Sequence, residues 1–330
     1  MQPAQFDRIC RLFGLGERTE HPRPLSGGLI HNMYELNTTQ GRYAVKCLNP
    51  QIMKRPEARG NFKEAEDIAL FAGRHLAALP AKRLRGEAVQ QIGDRYVLLF
   101  DWVDGSVLSR KDVTAAHCET IGSYLARVHQ LDFETSLMPD DVRTVGHDWA
   151  ADLKRGHAIG AEWCHALSGI VKALPVWEKQ AMRARAALST GLVTSHRDLD
   201  PKNVLWTQTG PVVIDWESAG PISRGLDVLE TSLYWSEDET DRVNAEKFQA
   251  FLRGYTSQHN LTGVEWSAVF EASYSSKLDW LAYNLNRTFS TDRAERQVGT
   301  EQVSQTISDV TRHTERLETV KQWLRMMPRH

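Results

Sequence analysis

Cysteine is scarce in this sequence, and so is any excess of charge. The 330 residues hold four cysteines, Cys10, Cys47, Cys118 and Cys164, far apart and without a C-x-x-C motif or a zinc-type Cys/His spacing. That excludes a disulfide framework and a thiolate metal centre, and leaves reduced thiols in a cytoplasmic protein as the expectation. The 40 basic and 42 acidic residues nearly cancel, for a net charge of −2. No basic surplus is present to neutralise a phosphate backbone, so nucleic acid is not an expected partner. Nowhere do eighteen apolar residues follow one another, and the N-terminus lacks a charged stretch followed by an apolar one. A membrane span and a signal peptide are therefore not expected, nor is a membrane partner. Repeats, low-complexity tracts and lipidation signals are absent too, and nothing in the sequence speaks to oligomeric state.

What is present has the balance of an ordinary globular chain, 41% apolar and 25% charged, long enough for two lobes with their own cores. Met33-Tyr34-Glu35-Leu36-Asn37, a polar turn at Thr39-Gln40-Gly41, and Arg42 to Leu48 alternate as a β-hairpin. From Ala58 to Leu79, apolar residues at Phe62, Ala65, Ile68, Ala69, Ala72 and Leu76 recur at helical spacing. Tyr96 to Phe100 is a short apolar run suited to a buried strand, and Asp104-Gly105 marks a turn after it. A boundary near Asp101 to Ser106 divides the chain into 1–103 and 104–330. Beyond it, Val113 to Leu131 is an amphipathic helix with Ile121, Leu125 and Val128 on one face. Two brief strands, Val204 to Trp206 and Pro211 to Ile214, flank a Thr-Gln-Thr-Gly turn, and helical periodicity runs from Gly225 to the end. The fold class expected is α+β, with a β-rich first lobe and a larger helical second one.

The densest polar cluster beside apolar strands is Ser195-His196-Arg197-Asp198-Leu199-Asp200-Pro201-Lys202-Asn203, followed downstream by Val213-Ile214-Asp215-Trp216-Glu217. Phosphoryl transfer from ATP needs a carboxylate to orient, or take the proton of, an attacking hydroxyl, and oxygen ligands for Mg²⁺. Asp198 supplies the first, and Asn203 with Asp215 the second. An isolated H-x-D-x-x-x-x-N string turns up by chance in on the order of a few per cent of chains this long, and the following hairpin with I-D makes coincidence much rarer.

The sequence here resembles the aminoglycoside phosphotransferase and choline kinase family, relatives of the protein kinases. The family pattern, H-x-D-x-x-x-x-N followed by a hydrophobic strand and I-D, matches residues 196–203 and 214–215 position for position. The resemblance implies a bilobal protein-kinase-like fold, with 1–103 as a nucleotide-binding lobe and 104–330 as a helical lobe carrying the catalytic loop and acceptor site. It implies ATP and Mg²⁺ as cofactors and a small-molecule hydroxyl as acceptor. The N-terminal half carries the matching parts in order. Leu25 to Tyr34 is similar to the family's L-x-G-G-x-x-x-x-x-Y loop, where the backbone at Gly27 and Gly28 approaches phosphate oxygens. Ala44-Val45-Lys46 resembles the V-A-I-K strand, so Lys46 is expected at the α- and β-phosphates. Glu66 lies in the better register to pair with Lys46, with Glu64 the alternative. Phe100 and Trp102 belong to the expected adenine-binding hinge, and Asp227 is expected to be a structural acid.

Some positions depart from the family. Arg197 stands where many small-molecule kinases carry glycine. Only eleven residues separate Asp215 from Asp227 and no A-P-E follows, which leaves no room for a protein-kinase activation segment. Lys202 reads equally as a γ-phosphate contact or a surface residue. Glu217 reads as a helper of the metal or, more ordinarily, as a cap or surface carboxylate. For the acceptor, Trp280, Asn284 and Arg287 fall on one helical face at i, i+4 and i+7. The acidic run Glu237-Asp238-Glu239 with Asp241 is a second candidate, for a cationic acceptor. Aminoglycoside-, choline-, homoserine- and sugar-like acceptors all stay open, and the alternative to an enzyme is a non-catalytic nucleotide-binding scaffold of the same fold.

Overall fold

The computed structural model of the chain describes residues 1–25, 30–135, 137 and 146–326. Gly27 and Gly28 therefore lie outside the described residues. The chain divides into two compact units interleaved along the sequence. The first comprises Met1–Val113, Tyr124–Met138 and Thr194–Pro221, the second Thr114–Ser123, Pro139–Val193 and Ile222–His330.

The first unit is built on a five-stranded antiparallel sheet. Its strands are β1 (Arg23–Leu25), β2 (Asn32–Thr38), β3 (Gly41–Cys47), β4 (Gln90–Ile92) and β5 (Arg95–Asp101), in spatial order β1-β2-β3-β5-β4. The β2–β3 hairpin pairs Met33 with Lys46 and Thr38 with Gly41, and β3 continues onto β5 with Ala44 opposite Phe100 and Lys46 opposite Leu98. Strand alternation then sorts side chains by face. Tyr43 and Val45 join Val97 and Leu99 in one core with Leu36 and Ile92, covered by Phe6, Ile9 and Cys10. Leu48, Leu98 and Phe100 lie in the other core, with Phe62, Ala81, Ala88 and Val89. Lys46 thus projects from the same face of the sheet as Phe100.

Helix α1 (Pro3–Phe13), which carries Phe6, Ile9 and Cys10, is an addition to the elements expected from the sequence. Its signal is short: Pro3 in the first turn, three apolar residues on one face, and Gly14 at φ 65° ending the helix. After α2 (Pro50–Met53), helix α3 (Ala58–Ala72) stops seven residues before the expected end at Leu79. The backbone there turns to other partners. Leu79 N–H donates to the Val213 carbonyl and Val213 N–H to the Ala77 carbonyl, both at 2.9 Å. Pro80 disfavours a helical Leu79 in any case. That exchange ties the end of α3 to the second hairpin, β7 (Val204–Thr207) and β8 (Gly210–Val213), whose register pairs Val204 with Val213. Ser106 and Trp206 exchange backbone hydrogen bonds at 3.1 and 2.9 Å and fasten the hairpin's outer edge. Strands β6 (Leu192–Ser195) and β9 (Gly220–Ser223) pair with one another.

Helices α4 (Ala115–Val128), α5 (Trp149–Ala158), α6 (Cys164–Ile170), α7 (Leu174–Ala187), α8 (Arg224–Ser236), α9 (Ala245–Thr256), α10 (Trp266–Ala272), α11 (Tyr274–Thr288) and α12 (Arg293–Met326) make up the helical part. In the second unit α4 and α9 meet backbone to backbone through glycine. A Cβ at Gly122 would lie 2.0 Å from the Phe251 carbonyl oxygen, and one at Gly254 only 1.9 Å from that of Glu119. Among the described residues no helix is long and apolar enough to cross a membrane.

Candidate active site

The loop before β7 is folded by its own polar side chains. His196 is fully buried, and its Nδ1 accepts the Asp198 N–H at 3.2 Å. The ring proton therefore sits on Nε2, which donates to the Ile214 carbonyl at 2.9 Å. Asp200 accepts the Lys202 N–H at 2.9 Å and starts the short 3₁₀ turn Pro201–Asn203. Asn203 closes the loop: its Nδ2 donates to the Asp198 carbonyl at 2.8 Å and to Asp198 Oδ2 at 2.9 Å. Its own carbonyl accepts the Ile214 N–H at 2.9 Å, which brings the residue next to Asp215 against it.

Two residues here hold left-handed backbone, Arg197 at φ 65° and Asp215 at φ 60°. Outside glycine such conformations are uncommon and concentrate where a site over-determines them. At Arg197 glycine would take this positive φ without a steric penalty.

The Asp198 side chain keeps about a third of its surface exposed (34%). Burial of the carboxyl nevertheless pushes it above the ordinary carboxylate range, against the pull of Lys202, whose Nζ lies 3.4 Å from Oδ2. A weakly basic, accessible carboxylate is what a hydroxyl-deprotonating or orienting group requires. Lys202 shows the reverse balance. Burial works against its charge, but Asp198, Asp200 and Asp215 together raise its pKa.

Lys46 is buried and reaches the segment after β8. Its Nζ donates to Asp215 Oδ1 at 2.7 Å and to Glu217 Oε2. Burial opposes its charge, yet the two carboxylates hold its pKa above the ordinary lysine value. Glu217 also faces His31, with His31 Nε2 3.2 Å from Oε2. Burial would raise the Glu217 carboxyl, but Lys46 and His31 hold it well below its usual range.

Glu66 and Glu64, the two glutamates expected to compete for Lys46, each accept a hydrogen bond from another donor. Glu66 accepts the Ala81 N–H at 2.7 Å from a buried position on α3. Burial pushes its carboxyl up to about 7, with the Ala81 N–H and Lys46 only partly offsetting it. Glu64 accepts from the Thr135 hydroxyl and from the Leu137 N–H at 2.9 Å. Asp215 and Glu217, flanking Trp216 after β8, take two of the three Lys46 ammonium donors, and the stretch after α3 folds back to give Glu66 a backbone donor.

Phe100 is packed in the α3-side core, on the sheet face that carries Lys46. The Trp102 N–H donates to the Arg42 carbonyl at 3.1 Å, and the Arg42 guanidinium lies 3.6 Å from the centre of its ring. In the second unit, Trp280 stacks on Tyr283, and the Arg287 guanidinium lies over the Tyr283 ring, 5.4 Å from its centre. Asn284 is fully buried, its Nδ2 3.4 Å from Thr306 Oγ1 of α12. Arg287 donates to Glu295 at 2.8 Å. The structure thus gathers Trp280 and Arg287 around Tyr283 and turns Asn284 towards α12. Two of the four acids of the acidic run are paired with arginines of α12. Glu237 pairs with Arg316 at 2.9 Å, Asp241 with Arg312 at 2.6 Å, and Asp238 accepts the Thr240 N–H within its own turn at 2.8 Å. A recess between α7 and α11, lined by Glu178, Arg185, Ser275 and Asp279, offers about 20 Å³, room for one water rather than an acceptor.

The donor set suits Mg²⁺. With both Asn203 amide bonds given to Asp198, its Oδ1 is the atom left to face a cation, and Asp215 keeps 36% of its side chain exposed. Mg²⁺ takes few protein oxygens and completes its shell with water and phosphate. Among the described residues no group of three or more histidine, cysteine, aspartate or glutamate side chains is arranged as a metal site.

A sheet lysine reaching the acid that follows a β7–β8 hairpin, beside an H-x-D-x-x-x-x-N loop, is the layout of a protein-kinase-like fold. The chain belongs to the phosphotransferase enzyme family, whose profile matches residues 21–259. A homoserine kinase of Brucella anthropi is 28% identical over 280 residues, covering 80% of this chain and 78% of that protein. A solved spectinomycin phosphotransferase, in complex with ADP and spectinomycin, superposes with a TM-score of 0.71 at 12% identity, over 95% of this chain and 99% of that one. Choline kinase from Cryptosporidium parvum gives 0.60 at 14% identity, over 97% of each chain. At such identities the solved structures show the fold, a β-rich N-terminal part followed by a larger helical part.

Proposed function

We propose that this chain transfers the γ-phosphoryl group of ATP to a hydroxyl of a small molecule, with Asp198 as catalytic carboxylate and Asn203 and Asp215 as ligands of Mg²⁺. The observation that carries the reading is the convergence of Asp198, Asn203, Asp215 and Lys46 within one compact unit. In it, the β-rich stretch 1–103 is the nucleotide-binding lobe, with Gly27, Gly28, Lys46, Phe100 and Trp102 around ATP. The stretch 104–330 brings the catalytic loop and the acceptor. The homoserine kinase name of the sequence relative puts a small hydroxy amino acid first among acceptors.

Asp198 hydrogen-bonds the acceptor hydroxyl and takes its proton as the oxygen attacks phosphorus. Its Oδ2, steadied by Asn203 and approached by Lys202, leaves Oδ1 for that contact. Lys46 offsets charge on the α- and β-phosphates, so that catalysis is mostly positioning and electrostatics. Mg²⁺ bound at Asn203 and Asp215 would neutralise charge on the β- and γ-phosphate oxygens.

Mg²⁺-dependent ADP release from ATP, measured with homoserine, choline, ethanolamine, spectinomycin and sugars, tests the reading. An acceptor-dependent signal lost in Asp198→Asn supports it. ADP binding with no turnover on any acceptor would favour the non-catalytic scaffold instead.

A further inference from the structure

His31 lies at the foot of the phosphate-loop segment, at the start of the hairpin that carries Lys46. Its side chain is almost wholly enclosed, 3% exposed, and every polar atom of the ring has a partner. Nδ1 accepts the Asn49 N–H at 2.9 Å, which leaves the proton on Nε2. Nε2–H therefore points at Glu217 Oε2, 3.2 Å away, the same oxygen that receives the Lys46 ammonium. The Phe62 ring packs edge-on against the imidazole at 5.6 Å. Asn49 is fixed in turn, with its Nδ2 donating to the Ile30 carbonyl at 3.3 Å and its Oδ1 accepting the Gln51 N–H at 2.8 Å. One imidazole thus bridges the loop stem, the end of β3 and the segment after β8.

We propose that His31 is a positioning residue for Lys46, acting through Glu217. A buried lysine needs a fixed carboxylate to hold its ammonium in one place, and a carboxylate shared with a metal ligand is not enough. Asp215 must release the lysine when it turns to a cation, whereas Glu217 is pinned by a second donor from a rigid ring. Glu66 gives one oxygen, Oε2, to the Ala81 N–H. The inference rests on the kinase reading for the meaning of Lys46 as a phosphate contact.

The test is ADP affinity by calorimetry in EDTA, where any metal-binding role of Glu217 is silent. His31→Asn keeps an acceptor near the Asn49 N–H but is too short to reach Glu217, while His31→Gln extends an N–H to it. Losing one hydrogen bond to a charged group predicts about tenfold weaker ADP binding for His31→Asn. His31→Gln should stay within about twofold of the parent, and in a Glu217→Gln background His31→Asn should add less than about twofold. ADP binding unchanged in His31→Asn, or weakened by the same factor in both backgrounds, overturns the proposal. Should His31→Asn fail to fold, weak binding by a folded His31→Gln overturns it as well. A parent protein that does not bind ADP would overturn the kinase reading, and this inference with it.

Discussion

Glu66 separates two architectures by the sign of one stability difference. If it paired with Lys46, its carboxyl would be held low and its removal would destabilise the protein at neutral pH. In the structure it is buried with a single backbone donor, and burial raises it from 4.5 to about 7. A carboxyl raised on folding keeps its proton in the native state after the unfolded chain has released it. Stability from this group is therefore fully present below pH 4.5 and is lost as pH rises to about 7. At about 1.4 kcal/mol per pH unit, that interval amounts to about 3 kcal/mol. Glu66→Gln retains an oxygen for the Ala81 N–H and cannot ionise. Urea unfolding of parent and variant should give similar stabilities at pH 4.5 and a more stable variant at pH 8, by up to that amount. Parallel stability profiles, or a variant weaker at pH 8, would refute the reasoning and return Glu66 to Lys46.

Asp198→Asn should lower turnover by about 10²- to 10⁴-fold while ADP affinity, read by calorimetry, stays near the parent value. Arg316→Ala removes one enclosed ion-pair partner of Glu237, and should cost about 3–5 kcal/mol in chemical denaturation. A near-neutral result would mean that the acidic run is solvated and open to a cationic ligand. Gly254→Ala drives a methyl to 1.9 Å from the Glu119 carbonyl, and the shift between α4 and α9 that relieves it should cost about 1–3 kcal/mol in the same assay. An unaltered midpoint there would show that the two helices part freely.

Much of this molecule could be read along the chain because the relevant physics is local. The β2–β3 hairpin follows from alternation around Thr39-Gln40-Gly41, and Lys46 takes its sheet face from that alternation alone. The 196–203 loop closes on itself through Asp198, Asp200, Lys202 and Asn203, so its residue order carries its shape. Helix α1 left only a faint trace, because three apolar residues on one turn-and-a-half acquire meaning from the sheet they cover. The end of α3 was illegible for a related reason. Periodicity runs on to Leu79, but the backbone of that stretch is claimed by Val213 in a distant strand.

The sequence by itself determined the chemistry at hand: a carboxylate, an amide, a second carboxylate and a lysine in an order that suits phosphoryl transfer. Tertiary structure alone decided which carboxylate holds the lysine, since Glu217 lies 171 residues from Lys46 and Glu66 only twenty along the chain. It also decided that Glu237 and Asp241 of the acidic run pair with Arg316 and Arg312 of α12. Ion pairs of this kind depend on which surfaces the fold encloses. A charge's neighbours along the chain say little about them, and its neighbours in space say nearly everything.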